Sequence, residues 1–298
     1  MKQLAYLILA HADPVHLARL VQALGDQADI YVHIDAKSSV EQFRAALIGT
    51  KVQFVMPRIR VAWAGISIVN ATLSLMRAAI ASNNKYHHII LLSGADYPLL
   101  NYQDILHHFQ ANPNRESIRY IDMRESKNHY MRQINQCWFK EPWFSGQNHL
   151  IQKLDKVVRK LGNWLALPNK WPLEIVPYFG SQWWALTPEC VSYILKVVDS
   201  NPDYLRVNRF TFSPDEHFFH TLVGNSNFAE NATGLESYRE GRTYLLANLH
   251  LLHHSLQKWY TIDDWNEIAS SKKAFVRKVS TLASEDLLDR IDKELLKI

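Results

Sequence analysis

The sequence predicts an α/β fold in which a mostly parallel central sheet is flanked by helices. Three observations predict it. Short apolar runs alternate with amphipathic stretches through about the first hundred residues. Polar residues cluster where three of those runs end. The composition, 47% hydrophobic and 21% charged over 298 residues, is that of a globular chain able to bury a core.

The elements follow in order. LAYLILAH reads as the first buried strand, because its apolar run from Leu4 to Ala10 is too short for a membrane span and no cleavage pattern follows it. DPVHLARLVQAL has helical spacing, with Asp13 as N-cap and Pro14 at the first helical position. DIYVHID is a second strand, SVEQFRAALI a helix, VQFVM a third strand and SIVNATLSLMRAAIAS a long amphipathic helix. The strand HHIILLSG and the helix YQDILHHFQAN complete the βα alternation. Ligands of such sheets bind at the carboxyl ends of the strands. Those ends carry His11-Ala12-Asp13, His33-Ile34-Asp35 and Ser93-Gly94-Ala95-Asp96.

Beyond residue 117 the pattern loosens. SIRYIDM is a strand, and residues 124–150 are polar, aromatic and without a clear period. LIQKLDKVVRKLGNWL is a basic amphipathic helix with two readings, an anionic membrane surface or a solvated lysine face, of which the second is preferred. YFGSQWWALTPECVSYILKVV reads as strand, turn and helix, and two helices close the chain. One compact domain over residues 1–298 is expected. Two cysteines imply no disulfide framework and fit a reducing compartment, and no run of 18 apolar residues occurs, so a soluble, cytoplasmic protein is expected. The net charge of +4 is too small to argue for nucleic acid.

For chemistry, the P-loop, GxGxxG, HExxH, CxxC and G-x-S-x-G patterns are absent, and so is any Asp-x-Asp pair. The stretch TFSPDEHFFH, residues 211–220, sets Asp215-Glu216 behind a proline and ahead of His217 and His220. Ser213-Pro214-Asp215-Glu216 suits a helix start with Ser213 as N-cap. A first-turn carboxylate aimed into a cleft also suits a general base. A metal held by Glu216 or Asp215 with His217 and His220 is the less favoured reading, because Phe218-Phe219 turns one side of that helix into core. Arg242, Lys258, Arg277 and Lys278 are candidates to neutralise phosphate. Arg277 and Lys278 sit in an apolar frame that points at least one of them inward. The pairs His87-His88, His107-His108 and His253-His254 read as surface or edge residues.

Six of these stretches, in order, resemble the core-2/I-branching family of inverting glycosyltransferases, which includes protein xylosyltransferases. They are AYLILAH with its later HID, VAWAGISIVNATLSLM, HHIILLSGADYPL, YFGSQWWALT, SPDE and KKAFVRKV. The resemblance covers nearly the whole chain, and the Ser-Gly-x-Asp-Tyr-Pro-Leu stretch is its most specific part. It implies a GT-A type glycosyltransferase fold, with residues 1–116 the nucleotide-sugar-binding half and 117–298 the acceptor-binding and catalytic half. It also implies a metal-independent mechanism that needs no cofactor beyond a UDP-sugar co-substrate. Glu216 matches the catalytic base. Lys278 and, less securely, Lys258 match the diphosphate contacts, with Arg242 and Arg277 in reserve. Asp35 falls at the nucleoside-contacting Asp, with His11 beside it. Acceptor contacts are expected from Asp96, Trp183, Trp184 and residues 124–150. The partners expected are a UDP-sugar, GlcNAc favoured over xylose, and a glycan or glycolipid. Lacking the membrane anchor and the many cysteines of the animal members, the chain resembles a bacterial relative. A metal-assisted hydrolase and a non-catalytic carbohydrate-binding relative are the alternatives.

Overall fold

The computed structural model describes residues 2–82, 84–144, 149–172 and 174–298. The chain opens with β1 (Leu4–Ala10), α1 (Pro14–Leu24), β2 (Asp29–Ile34), α2 (Val40–Ala46) and β3 (Gln53–Phe54). It continues with α3 (Ser67–Ile80), β4 (His88–Ser93), β5 (Asp96–Pro98) and α4 (Tyr102–Gln110). The strands β3, β2, β1 and β4 lie side by side in parallel, as the alternation predicts. Both faces of β1 are covered, which is why it reads as an unbroken apolar run rather than an alternating one. Tyr6 and Ile8 join a core with Leu17 and Leu20 of α1 and Phe43 of α2. Ala5 and Leu7 join another with Val69 and Met76 of α3.

The second part of the chain joins the same sheet. It begins with β6 (Glu116–Asp122), α5 (Met131–Asn135), α6 (His149–Leu165), β7 (Tyr178–Gly180) and β8 (Ala185–Leu186). The helices α7 (Pro188–Ser200), α8 (Pro202–Asn208) and α9 (Phe218–Gly224) and the strand β9 (Ala232–Glu236) follow. The two residues of β8 lie antiparallel between β4 and β6, so one sheet runs through both halves. β7 and β9 flank β6. The chain then forms β10 (His250–Leu252), α10 (Trp265–Ser270), β11 (Phe275–Arg277) and α11 (Thr281–Ile291). A small second sheet, β10-β11-β5, brings this last part of the chain against the end of β4. In its register Arg277 stands opposite both Asp96 and Leu252.

One local signal behaves as the sequence predicts, and a second helix cap appears that the sequence reading does not name. Asp13 caps α1 by accepting from the backbone N–H of His16 (3.0 Å), and it also accepts from the N–H and hydroxyl of Thr281 at the start of α11 (2.8 Å each). Thr187 caps α7 by accepting from the N–H of Cys190.

Others differ. The third strand is two residues long, because it is a sheet edge that Pro57 soon ends. Ser213 does not cap a helix: it sits in the left-handed region (φ 48°), its N–H engaged by the carbonyl of Ala64. Pro214–Glu216 is one short 3-10 turn, and the helix α9 starts only at Phe218. His88 is no edge residue. It is fully buried, stacked on Phe109 at 4.1 Å, with Nε2 2.8 Å from the carbonyl of Arg115.

Candidate functional site

A cleft of about 700 Å³ opens where the small sheet meets β7 and the 3-10 turn of Glu216. Phe179, Gly180, Gln182, Trp183, Glu216, Tyr244, His253, Lys258, Arg277 and Lys278 line it. The residues from β7 to Trp183 come from one side and those from β10 to Lys278 from the other. Glu216 is presented by a turn locked through the N–H of Glu216 on the carbonyl of Ser213 (3.0 Å). The structure therefore brings Glu216, Trp183, Lys258, Arg277 and Lys278 to one cavity.

The cationic wall is built from the inside out. Asp96, fully buried at the turn after β4, accepts from the N–H (2.8 Å) and hydroxyl (2.7 Å) of Ser93. Its other partners are Nε2 of His250 (3.1 Å) and Nη1 of Arg277 (2.9 Å). Burial opposes the charge of Asp96, but Arg277, then His250 and the Ser93 N–H, more than offset it and hold the carboxyl below its usual range. Arg277 also reaches the Ser93 hydroxyl, and its guanidinium lies 4.5 Å from the Trp183 ring centroid. Burial and then Arg277 pull the Lys278 ammonium below its ordinary value. Lys278 has no carboxylate partner among the described residues. Lys258 is paired with Asp264 at 2.5 Å and lies 5.3 Å from the Tyr260 ring centroid.

Glu216 is half-buried, and burial, followed by the neighbouring Asp215, pushes its carboxyl up to about 8. Burial raises Asp215 as well. His217 and His220 are fully buried, do not line the cleft, and are pushed down to about 3, first by burial. The His217 ring packs edge-on to Trp171 (6.1 Å), and the His220 ring lies under Gly180. Among the described residues no three His, Cys, Asp or Glu side chains converge as metal ligands.

Two sequence expectations need correction, those for Asp96 and Trp184. Asp96 and Trp184 are fully buried and face no acceptor: Asp96 is spent on Arg277 and His250, and Trp184 packs edge-on to Phe219 at 5.5 Å in the core. Trp183 lines the cleft, but the guanidinium of Arg277 occupies its ring face. Arg242 lines a neighbouring cavity with Arg119, Arg239 and Lys273, which shares Thr243 with the cleft. His11 and Asp35 end the adjacent strands β1 and β2 and lie outside the cleft lining. Asp35 accepts from the N–H of Lys37 (2.9 Å) and pairs with its ammonium at 3.3 Å. Of residues 124–150, the four numbered 145–148 lie outside the described residues.

Sequence reasoning missed Ser93 and His250 as supports of Arg277, and His253 as part of the cleft wall. Ser93 stands in the Ser-Gly-x-Asp stretch that ends β4, whereas nothing in LANLHLLHHS separates the buried His250 from its neighbours.

Comparison with known proteins gives the family of the chain. The family model described as Core-2/I-Branching enzyme matches residues 4–280. A probable beta-1,3-galactosyl-O-glycosyl-glycoprotein beta-1,6-N-acetylglucosaminyltransferase 7 of Homo sapiens is 27% identical over 236 residues, 74% of this chain and 49% of its own. Beta-glucuronosyltransferase GlcAT14B of Arabidopsis thaliana is 26% identical over 318 residues, 99% of this chain and 66% of its own. Xylosyltransferase 2 of Rattus norvegicus is 26% identical over 238 residues, 77% of this chain and 25% of its own. The chain thus spans about half the length of the first of these relatives and less than two thirds of each of the three. Among solved structures, mouse xyloside xylosyltransferase 1 in its apo form is a weak likeness, with 14% identity and a TM-score of 0.39 over 93% of this chain and 97% of that one. The family match runs from the first residue of β1 past Lys278, and on that ground the chain belongs to the Core-2/I-branching enzyme family.

Proposed function

We propose that this protein is an inverting glycosyltransferase that moves a sugar from a UDP-sugar to a hydroxyl of a glycan or glycolipid without a metal ion. One observation carries the reading: the Glu216 carboxylate and the cations Lys258, Arg277 and Lys278 line the same cleft. In this mechanism Glu216 takes the proton of the acceptor hydroxyl as that oxygen attacks the anomeric carbon. The new carbon–oxygen bond forms as the bond to the phosphate breaks on the opposite face, and UDP leaves with the electron pair. Arg277 and Lys278 neutralise the charge that develops on the diphosphate, the part a divalent ion plays elsewhere. Lys258 joins them by sharing its charge with Asp264. The nucleoside lies toward Asp35 and His11 at the strand ends. GlcNAc is the favoured sugar and xylose the alternative, a choice supported by the names of the relatives; the two free cysteines suit a reducing, cytoplasmic setting.

The test is transfer by Glu216→Gln. Turnover is expected to fall about 10²-fold or more, while a UDP-sugar still raises the melting temperature as it does in the native protein. Near-native transfer by the variant would remove Glu216 from the mechanism. EDTA is expected to leave both transfer and the UDP-sugar shift unchanged, and loss of either on chelation would return a metal to the scheme. UDP binding without UDP release in the presence of any acceptor would favour the non-catalytic alternative.

A further inference from the structure

The helix α6 is mounted the wrong way round for a surface helix. Its polar residues hold it to the body. The buried Asp155 carboxylate accepts from the backbone N–H of Trp143 (2.7 Å) and of Phe144 (3.3 Å), and pairs with Arg159 at 2.8 Å. Asn163 accepts from the N–H of Phe139 (2.8 Å), and Gly162 leaves room for the Phe139 ring, with which a Cβ would collide. At 100° per residue, positions 155, 159, 162 and 163 therefore face inward.

The opposite face is apolar and open. Leu154 is 54% exposed, Val157 62%, Leu161 54%, Trp164 77% and Leu165 51%. The spacing puts all five on one stripe. A folded chain seldom leaves such a stripe to water without a use for it. Trp143 and Phe144, whose N–H groups bond Asp155, are themselves exposed. Along one edge of the stripe Lys153, Lys156 and Lys160 are exposed, with no ion pair among the described residues.

We propose that α6 is a docking surface for an anionic lipid bilayer. The helix lies in the headgroup plane, its apolar stripe enters the acyl boundary, and its three lysines meet the negative headgroups. Charge decides between a bilayer and a second copy of this chain. Two stripes packed antiparallel would bring six lysines onto one seam, and packed parallel three onto each of two seams, with no carboxylate of the helix to meet them, because Asp155, its one acid, is buried on Arg159. An anionic surface complements the same lysines.

The experiment is sedimentation of the full chain with vesicles of phosphatidylcholine and phosphatidylglycerol in equal parts, and with phosphatidylcholine alone. Binding is expected to the mixed vesicles, much weaker binding to the neutral ones, and a decline with added salt. The variant Leu154→Gln, Leu161→Gln, Trp164→Gln changes exposed residues outside the cleft, so its melting temperature and its UDP-sugar shift should match the parent while vesicle binding falls at least about tenfold. Changing Lys153, Lys156 and Lys160 to Gln should lower the preference for anionic vesicles on the order of a hundredfold. Absence of the parent from both vesicle pellets, or full binding by the first variant, overturns the proposal. So does a dimer in analytical ultracentrifugation that the first variant abolishes while vesicles bind neither protein.

Discussion

As the proposed base, Glu216 carries two demands that conflict. A general base must be ionised to accept a proton, yet burial and Asp215 push this carboxyl up to about 8. Hence kcat/KM is expected to climb as pH rises and to level off near that value, about tenfold per unit on the acid limb; a profile already flat at pH 6 would show that the base ionises in the ordinary carboxylate range. The same shift affects stability. Below the unfolded carboxyl's ordinary range both states hold the proton. From there up to about 8 the folded state keeps it while the unfolded state loses it, so rising pH costs the fold stability. Glu216→Gln removes that penalty. It should raise the melting temperature at pH 8 by roughly 2–4 °C, the change about 1 kcal/mol makes in a domain of this size, and the gain should vanish at pH 4. Scanning calorimetry at the two pH values checks this.

At the scale of elements, β7 is where packing and chemistry meet. Its last residue, Gly180, lines the cleft, pairs with Tyr120 of β6 and lies over the His220 ring of α9. A Cβ at that position would collide with the carbonyl of Arg119 and with the imidazole, neither of which can give way cheaply. Gly180→Ala should therefore cost about 3 kcal/mol, the upper end of ordinary overpacking, in urea unfolding. A cost under about 1 kcal/mol would show that β7 slides freely on β6. This strand also shows what the sequence could and could not tell. Strong local signals carried through: the apolar run of β1, the Asp13 cap and the long period of α3 are each set by neighbours in the chain. The turn of Glu216 was read as a helix start because Ser-Pro-Asp-Glu has that chemistry. The structure overrides it through Ala64, about 150 residues away, whose carbonyl engages Ser213. The lysines of α6 were legible as exposed. Which face of that helix touched the body was not, because Asp155 and Arg159 look like any surface i,i+4 pair until Trp143 and Phe144 are placed on them.

Across the whole molecule, Asp96 joins parts of the chain that are far apart in sequence. Asp96 itself follows β4, while His250 and Arg277 belong to the last fifth of the chain. Asp96→Asn keeps the shape but removes the charge that compensates a largely buried guanidinium. It should cost about 3 kcal/mol in chemical denaturation, the lower end for breaking a buried pair; a loss below about 1 kcal/mol would show that water in the cleft already compensates Arg277. The motif containing Asp96 was legible, but its role was not, since an acid at a strand end signals a ligand contact and an internal strut equally well. What settles the matter is the register that sets Arg277 opposite Asp96, a pairing between residues 181 apart.

The clasp between Asp13 and Thr281 gives these long-range pairings a meaning in time. A ribosome delivers the N-terminal end first, and β1, α1 and β2 can assemble early from local contacts. The carboxylate that caps α1 nevertheless waits for a hydroxyl 268 residues later. Arg277 and Lys278 emerge just ahead of that hydroxyl. The nascent chain thus holds the strand ends long before it holds the cationic wall, and the cleft becomes whole only once Arg277, Lys278 and Thr281 have emerged.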